Sequence, residues 1–352
     1  MKRAVIACIL LLFASSRVCG AQTVQIRVLS RFHPTQFELR PAGNNPLFVF
    51  VAGEHFVVRP QAPNSILKIQ VDGDAFRTSM DGRELRAREM RIAHLASPAD
   101  FVLSVPGQIS RRYRGILRII VRDGGLAAVV DMDLEIAVAS AVQAESEPGT
   151  PLEALKAQAV VTRSYYFAAK ARHANDEFCD LTHCQVLREP PPETSPAARA
   201  TVETRGLVLD YEQKPFAAMF TRSCGGHTRT PADAGLPTNG YPYYAVVCDY
   251  CHTRPYRWTR TVSSADAAIL AKGEPGRLAV NRRMGWNTVP SNSFRAHIDG
   301  TEIVLEGTGQ GHGIGLCQLG AAAMAAGGAD FREILSHYFP NTSLQFVRYP
   351  NP

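Results

Sequence analysis

TPLEALKAQAVVTRSYYFAAKAR, residues 150–172, is the stretch on which the fold turns. Thr150-Pro151-Leu152-Glu153 sets a capping-box spacing with proline at the first helical position, and both are helix-start signals. Leu155, Ala159, Thr162 and Tyr166 then recur at helical spacing, which predicts a helix reaching about Arg172. Gln158 and Arg163 fall off this apolar line, on a face that reads as solvated. Just upstream, Leu134, Val138, Ala141 and Val142 predict a shorter helix that fades near Glu145, before Pro148-Gly149 breaks the chain.

The pattern differs on the two sides of this helix pair. Residues 21 to about 130 are strand-like: Val24-Gln25-Ile26-Arg27-Val28-Leu29 alternates, 48–51 is apolar and β-prone, and Asp72-Gly73 and Asp123-Gly124-Gly125 mark turns. Residues 114–121 and 126–130 predict a hairpin around the second of these turns. Downstream, Ser195-Pro196 opens a helix that should stop at Gly206. Residues 207–211 are then expected to pair with 215–221, and a last helix falls near 331–339. Strands first and a mixed region afterwards give an α+β class.

With 352 residues, 45% hydrophobic and 20% charged, the chain can build one large core or two ordinary ones. Residues 1–20 begin Met-Lys-Arg, run apolar from Ala4 to Ala14 and end on Val18-Cys19-Gly20, the pattern of a secretory signal cut before Ala21. Cys19 suits lipid attachment less well, because Ser16-Arg17-Val18 lacks the small apolar residues such a site shows. Without Lys2, Arg3 and Arg17, 35 basic residues stand against 32 acidic ones. That excess is too small to argue for nucleic acid. Beyond the signal lie six cysteines, too few for a disulfide scaffold, so each is expected to act locally.

Two clusters and one glycine run carry the chemistry. His173 with Cys179-Asp180-Leu181-Thr182-His183-Cys184 brings thiolates and imidazoles together at spacings that close around zinc, although Cys179 and Cys184 could instead form a short disulfide. Adjacent His183 and Cys184 cannot both point inward from a regular element, so a metal requires an irregular loop there. Cys224-Gly225-Gly226-His227 with Cys248-Asp249-Tyr250-Cys251-His252 offers a second metal site, but export, the distance between its parts and the lack of one compact pattern favour a disulfide between Cys224 and Cys248 or Cys251. Cys317 is then left as a small buried apolar residue. GTGQGHGIGLCQLGA, residues 307–321, places glycines around His312 but matches neither G-x-G-x-x-G nor a P-loop. Five glycines so close together require special dihedrals or close approach of another group. Glu145 and Glu147 sit at a predicted helix end, where the negative end of the dipole raises a carboxyl pKa, as a general acid needs. Trp258 with Tyr241, Tyr243 and Tyr244 offers rings for sugar stacking or, more ordinarily, for a core.

Taken together, RRYRGILRII (111–120), AVQAESEPGTPLEALKAQAVVTRSYYFAAKARH (141–173), CDLTHCQV (179–186), FTRSCGGHT (220–228) and GTGQGHGIGLCQLGAAAMAAGG (307–328) resemble the stage II sporulation protein D family, which includes amidase enhancers of the bacterial cell wall. The resemblance divides the chain into a signal over 1–20, a β-rich region over 21–108 and a catalytic domain over 109–352. It implies a groove for peptidoglycan glycan strands, with the bare glycine backbone letting a polysaccharide lie beside His312. It also implies lytic transglycosylase activity on strands lacking stem peptides, leaving 1,6-anhydro ends, or else a silent wall-binding role that stimulates an amidase. The family places one glutamate ahead of the helix in A-E-M-P. Here the stretch reads A-E-S-E-P-G-T-P, and counting back from Pro151 puts that glutamate on Glu145, whereas adjacency to the first proline would favour Glu147. Arg163, Ser223, His312 and Gln318 match positions beside the groove. His173, Cys179, His183 and Cys184 match a structural zinc set, whose closed shell leaves no place for an activated water.

Overall fold

A computed structural model describes residues 22–62, 65–80, 82–94, 98–169, 173, 178–238, 240–300 and 302–347; the expected signal over 1–20 lies outside them. The first strand, Thr23–Val28, buries Val24, Ile26 and Val28 on one face. It runs antiparallel to Gly125–Asp133 from Thr23↔Asp133 to Val28↔Ala128. Asp123 and Gly124 both take positive φ to form the predicted hairpin turn, which closes the ladder from Ile116↔Asp131 to Arg122↔Gly125.

The partner strand, Ile109–Arg122, organises the β region. Its first half pairs with Ala99–Val105, whereas its second half lies between Glu89–Ala93 and Gly125–Asp133. Gly115 stands at the changeover, where a Cβ would lie 2.5 Å from the Asp131 carbonyl oxygen, so only glycine lets the two backbones approach. Twelve strands join through this one into a single curled sheet around Phe37, Phe76, Phe101, Tyr113 and Leu117. The boundary expected between residues 108 and 109 therefore falls in the turn joining two paired strands, inside a continuous sheet.

Eight α-helices occur among the described residues. Helix α1, Leu134–Glu145, is capped by Asp133, whose side chain accepts the N–H groups of Glu135 and Ile136. Helix α2, Leu152–Ala168, begins after Pro151 with no side-chain cap: the Thr150 hydroxyl donates to the Glu147 carbonyl, and Glu153 takes Lys156 and the Phe331 N–H. The capping box legible in the sequence is thus not formed. The helix stops at Ala168, and residues 170–172 lie outside the described set. It packs against α1, α3 (Pro196–Glu203), the strand Leu207–Tyr211, α7 (Gln318–Ala326) and α8 (Phe331–Tyr338). Enclosure on so many sides buries Gln158 and Arg163, correcting the solvated face expected for them.

The hairpin predicted over 207–221 divides. Only Asp210↔Pro215 and Tyr211↔Lys214 pair, across a two-residue turn with Glu212 and Gln213 at positive φ. Phe220–Thr221 instead joins Leu316–Cys317 in parallel, which brings the FTRSCGG and glycine-rich stretches side by side. Between α4 (Asp249–Thr253) and α7, helices α5 (Ser264–Leu270) and α6 (Glu274–Met284) cover a three-stranded sheet with its own small core of Trp258, Val262, Leu270, Val280 and Leu305.

Candidate functional site

Segments distant in sequence line one cleft of about 440 Å³. Helix α1 brings Glu145, the glycine-rich run brings Gln310 and His312, and α7 opens with Gln318. The turn after Cys179 contributes His183 and Cys184, and the stretch from α6 to Asn287 contributes Glu274, Arg277, Arg282 and Trp286.

The glycines around His312 are explained by the chain's own packing. A Cβ on Gly315 would stand 2.1 Å from the Met219 carbonyl oxygen, and one on Gly311 would stand 2.4 Å from the Thr221 hydroxyl, both residues having positive φ. The bare side of the run is therefore filled by residues 219–229, not left open for a polysaccharide. Alternation then presents Gln310 and His312 to the cleft. The Nδ1 of His312 accepts the Ile314 N–H at 3.0 Å, which puts the proton of a neutral ring on Nε2.

Glu145 is half-buried, with its carboxyl walled in by protein. Its Oε1 accepts the Val186 N–H at 2.9 Å, and Gln318 Nε2 holds its backbone carbonyl at 3.0 Å. Desolvation pushes its pKa from 4.5 up to about 7, against the opposing pull of the Val186 N–H and the Arg188 and Arg222 charges. Burial is thus the main cause of the rise, rather than the helix terminus alone. Glu147 is exposed and paired with Arg222 at 2.5 Å. Glu274 behaves oppositely to Glu145. Burial alone would raise its pKa, but the bidentate Arg277 at 2.8 and 2.7 Å, with Asn292, holds it below the ordinary value. The cleft therefore contains one carboxyl that keeps a proton near neutrality and one carboxylate committed to an arginine.

Two expected groove residues face elsewhere. Arg163 is fully buried and forms a bidentate pair with Glu135 at 2.9 and 2.7 Å. Its remaining N–H groups go to the Thr201 and Leu207 carbonyls and the Thr204 hydroxyl, leaving none for a ligand. Ser223 is buried too, with its hydroxyl 3.5 Å from Cys251 Sγ. Its backbone bonds Gln310 in both directions, so it positions the cleft wall without facing the cleft. Trp258, Tyr241 and Tyr243 are core residues. The exposed ring at the cleft is Trp286, which no pattern in the sequence singled out. Glu274 and Arg277 were also missed, although their i, i+3 spacing at a helix start was the signal available.

The four candidate metal ligands assemble at the irregular turn that adjacent His183 and Cys184 would require of a metal site. Ligand atoms of His173, Cys179, His183 and Cys184 all lie within 4.8 Å of one another. The Cys184 sulfur is 3.6 Å from His183 Nδ1 and 3.7 Å from His173 Nε2, and Cys179 is 4.0 Å from His183 Nδ1. A tetrahedral zinc ion with ordinary bond lengths needs S···N edges of about 3.6 Å, so the donor set fits. Asp180 fixes this turn to the sheet by accepting the Leu29 N–H at 3.0 Å and Arg111 at 3.4 Å. The other four cysteines are also free thiols, and Cys317, expected to stand apart, joins Cys224, Cys248 and Cys251.

A family model described as SpoIID, stage II sporulation protein, matches residues 122–211, which hold Glu145, α2 and the first metal cluster. The stage II sporulation protein D of Bacillus subtilis is 26% identical over 172 residues, covering 41% of this chain and 50% of the relative. The amidase enhancer of Bacillus subtilis is 44% identical over 274 residues, covering 55% of this chain and 38% of the relative. An uncharacterized protein of Brachyspira hyodysenteriae is 28% identical over 263 residues, covering 64% of this chain and 70% of the relative. The chain thus spans half or less of the length of the two named relatives. The family match lies over the helix pair and the Cys179–Cys184 turn that frame the cleft, and there the chain is similar to the stage II sporulation protein D and amidase enhancer family.

Proposed function

We propose that the chain is an exported peptidoglycan lytic transglycosylase that cuts glycan strands lacking stem peptides and leaves 1,6-anhydro ends. The observation that carries this reading is Glu145, which shares the cleft with an arginine-paired Glu274 and whose own pKa burial lifts to about 7. Such a group holds a proton at neutral pH and can also take one back. With Oε1 anchored by Val186, the carboxyl donates its proton to the glycosidic oxygen as the oxocarbenium-like centre develops. The resulting carboxylate receives the proton of the sugar's own 6-hydroxyl, which closes on the anomeric carbon. No second free carboxylate is needed, in keeping with the commitment of Glu274 to Arg277.

His312 and Gln310 orient sugar hydroxyls, and Trp286 offers an apolar face to a sugar ring. Strands stripped of peptides carry free lactyl carboxylates, which suit Arg222 and Arg282 in the cleft. His173, Cys179, His183 and Cys184 hold a structural zinc ion, which supplies a cross-link between the turn and the cleft wall. Export accords with the apolar run of residues 4–14. Among the described residues no helix is long and apolar enough to cross a membrane.

Mass spectrometry of stripped glycan after digestion tests the reading. Anhydro-terminated fragments are expected from the wild type and none from Glu145→Gln. A second reading, a non-catalytic wall-binding enhancer of an amidase, is favoured by the 44% identity to the amidase enhancer and by the altered A-E-S-E-P stretch. It predicts glycan binding without new ends, together with faster release of stem peptides when an amidase is added.

A further inference from the structure

We infer that Cys224, Cys248, Cys251 and Cys317 form a second metal centre, a buried tetrathiolate that holds one zinc ion beneath the cleft. The four sulfurs lie within 4.8 Å of one another, and Cys251 and Cys317 are 3.6 Å apart. A zinc ion with four bonds of about 2.3 Å needs S···S edges of about 3.8 Å. Cys248-Asp249-Tyr250-Cys251 has the C-x-x-C spacing of a zinc knuckle, and Cys224 and Cys317 complete the shell from distant segments. All four residues are at most 4% exposed, so no open coordination position faces water.

The surroundings suit thiolates. Four thiols binding one zinc ion release four protons and leave a buried centre of charge −2, which requires nearby donors. The Tyr338 hydroxyl is 3.3 Å from Cys248 and the Ser223 hydroxyl is 3.5 Å from Cys251, and both residues are 2% exposed. Cys317 is the N-cap of α7, where the helix dipole favours an anion. Gly320 completes the packing, since a Cβ there would lie 1.9 Å from the Tyr338 hydroxyl and 2.4 Å from Cys248 Sγ. The centre ties the end of the FTRSC stretch, α4 and the start of α7 together. Arg222 and Gln318, both lining the cleft, are its near neighbours in sequence. It is therefore a positioning element, independent of whether the cleft cuts glycan.

The test is zinc analysis and non-reducing mass spectrometry of the full chain purified without chelator. Cys251→Ser is expected to lose one zinc ion per chain that His183→Ala retains. Wild-type mass should be that of free thiols. Cobalt(II) exchanged into His183→Ala should give the strong sulfur-to-metal absorption of a four-thiolate tetrahedron. The spectrum and the thiol count do not depend on Cys251→Ser folding. A mass lowered by the four hydrogens that two disulfides remove, zinc content unchanged in a folded Cys251→Ser, iron in place of zinc, or a cobalt spectrum without four thiolates would overturn the inference.

Discussion

Replacing Glu145 by glutamine should separate stability from activity through pH. A carboxyl whose pKa is about 7 in the folded chain, against an ordinary 4.5, holds its proton more tightly when folded. That contribution to stability is complete below pH 4.5 and is lost as pH rises towards and through 7. At pH 8 the wild type therefore bears a penalty of about 3 kcal/mol that it does not bear at pH 4. Glutamine cannot ionise and still accepts the Val186 N–H, so Glu145→Gln should gain about 3 kcal/mol over the wild type between pH 4 and pH 8. Urea unfolding of both chains at the two pH values, in matched zinc, measures this difference. Zinc linkage acts on both chains alike and cancels from the comparison. A stability difference that does not change with pH would refute the burial of this carboxyl, however inactive the variant.

Other perturbations follow from the same geometry. Arg163→Met should cost roughly 3–5 kcal/mol in urea unfolding, because Glu135 is left charged and unpaired inside the protein. Gly315→Ala combines a positive φ with contact on the Met219 carbonyl, so it should cost roughly 2–6 kcal/mol, whereas Gly107→Ala, with open space around it, should cost about 1 kcal/mol; thermal melts of the two compare crowding with strain. Trp286→Ala should weaken binding of stripped glycan about fivefold, the equivalent of ~1 kcal/mol, and leave the melting temperature unchanged. Calorimetry and a melt read both. If Glu145 acts as the acid, the cleavage rate should fall tenfold per pH unit above about pH 7, and a rate profile flat to pH 9 would exclude it.

Features carried by nearby residues were legible in the chain. The period-two alternation of 24–29, the Asp123-Gly124 turn, the start of α1 at Leu134 and the end of α8 near Phe339 all rest on local pattern. His183 beside Cys184 was readable as a loop site for the same reason. The capping box at Thr150 was legible yet did not form, since Glu147 and Lys156 offered Thr150 and Glu153 other partners.

What tertiary structure decided is where each side chain faces and what surrounds it. By spacing alone, Gln158 and Arg163 lay on a solvated face, and the resemblance implied a groove role for Arg163; enclosure of α2 by five neighbouring elements buried both. Cys317 and Cys224 lie 93 residues apart and meet only because 220–221 pairs with 316–317. Glu145 and Glu147 are two residues apart and chemically identical, yet one is desolvated and the other faces water. Periodicity and capping act over a few residues and can be read from them, whereas desolvation and charge pairing depend on segments brought together by folding.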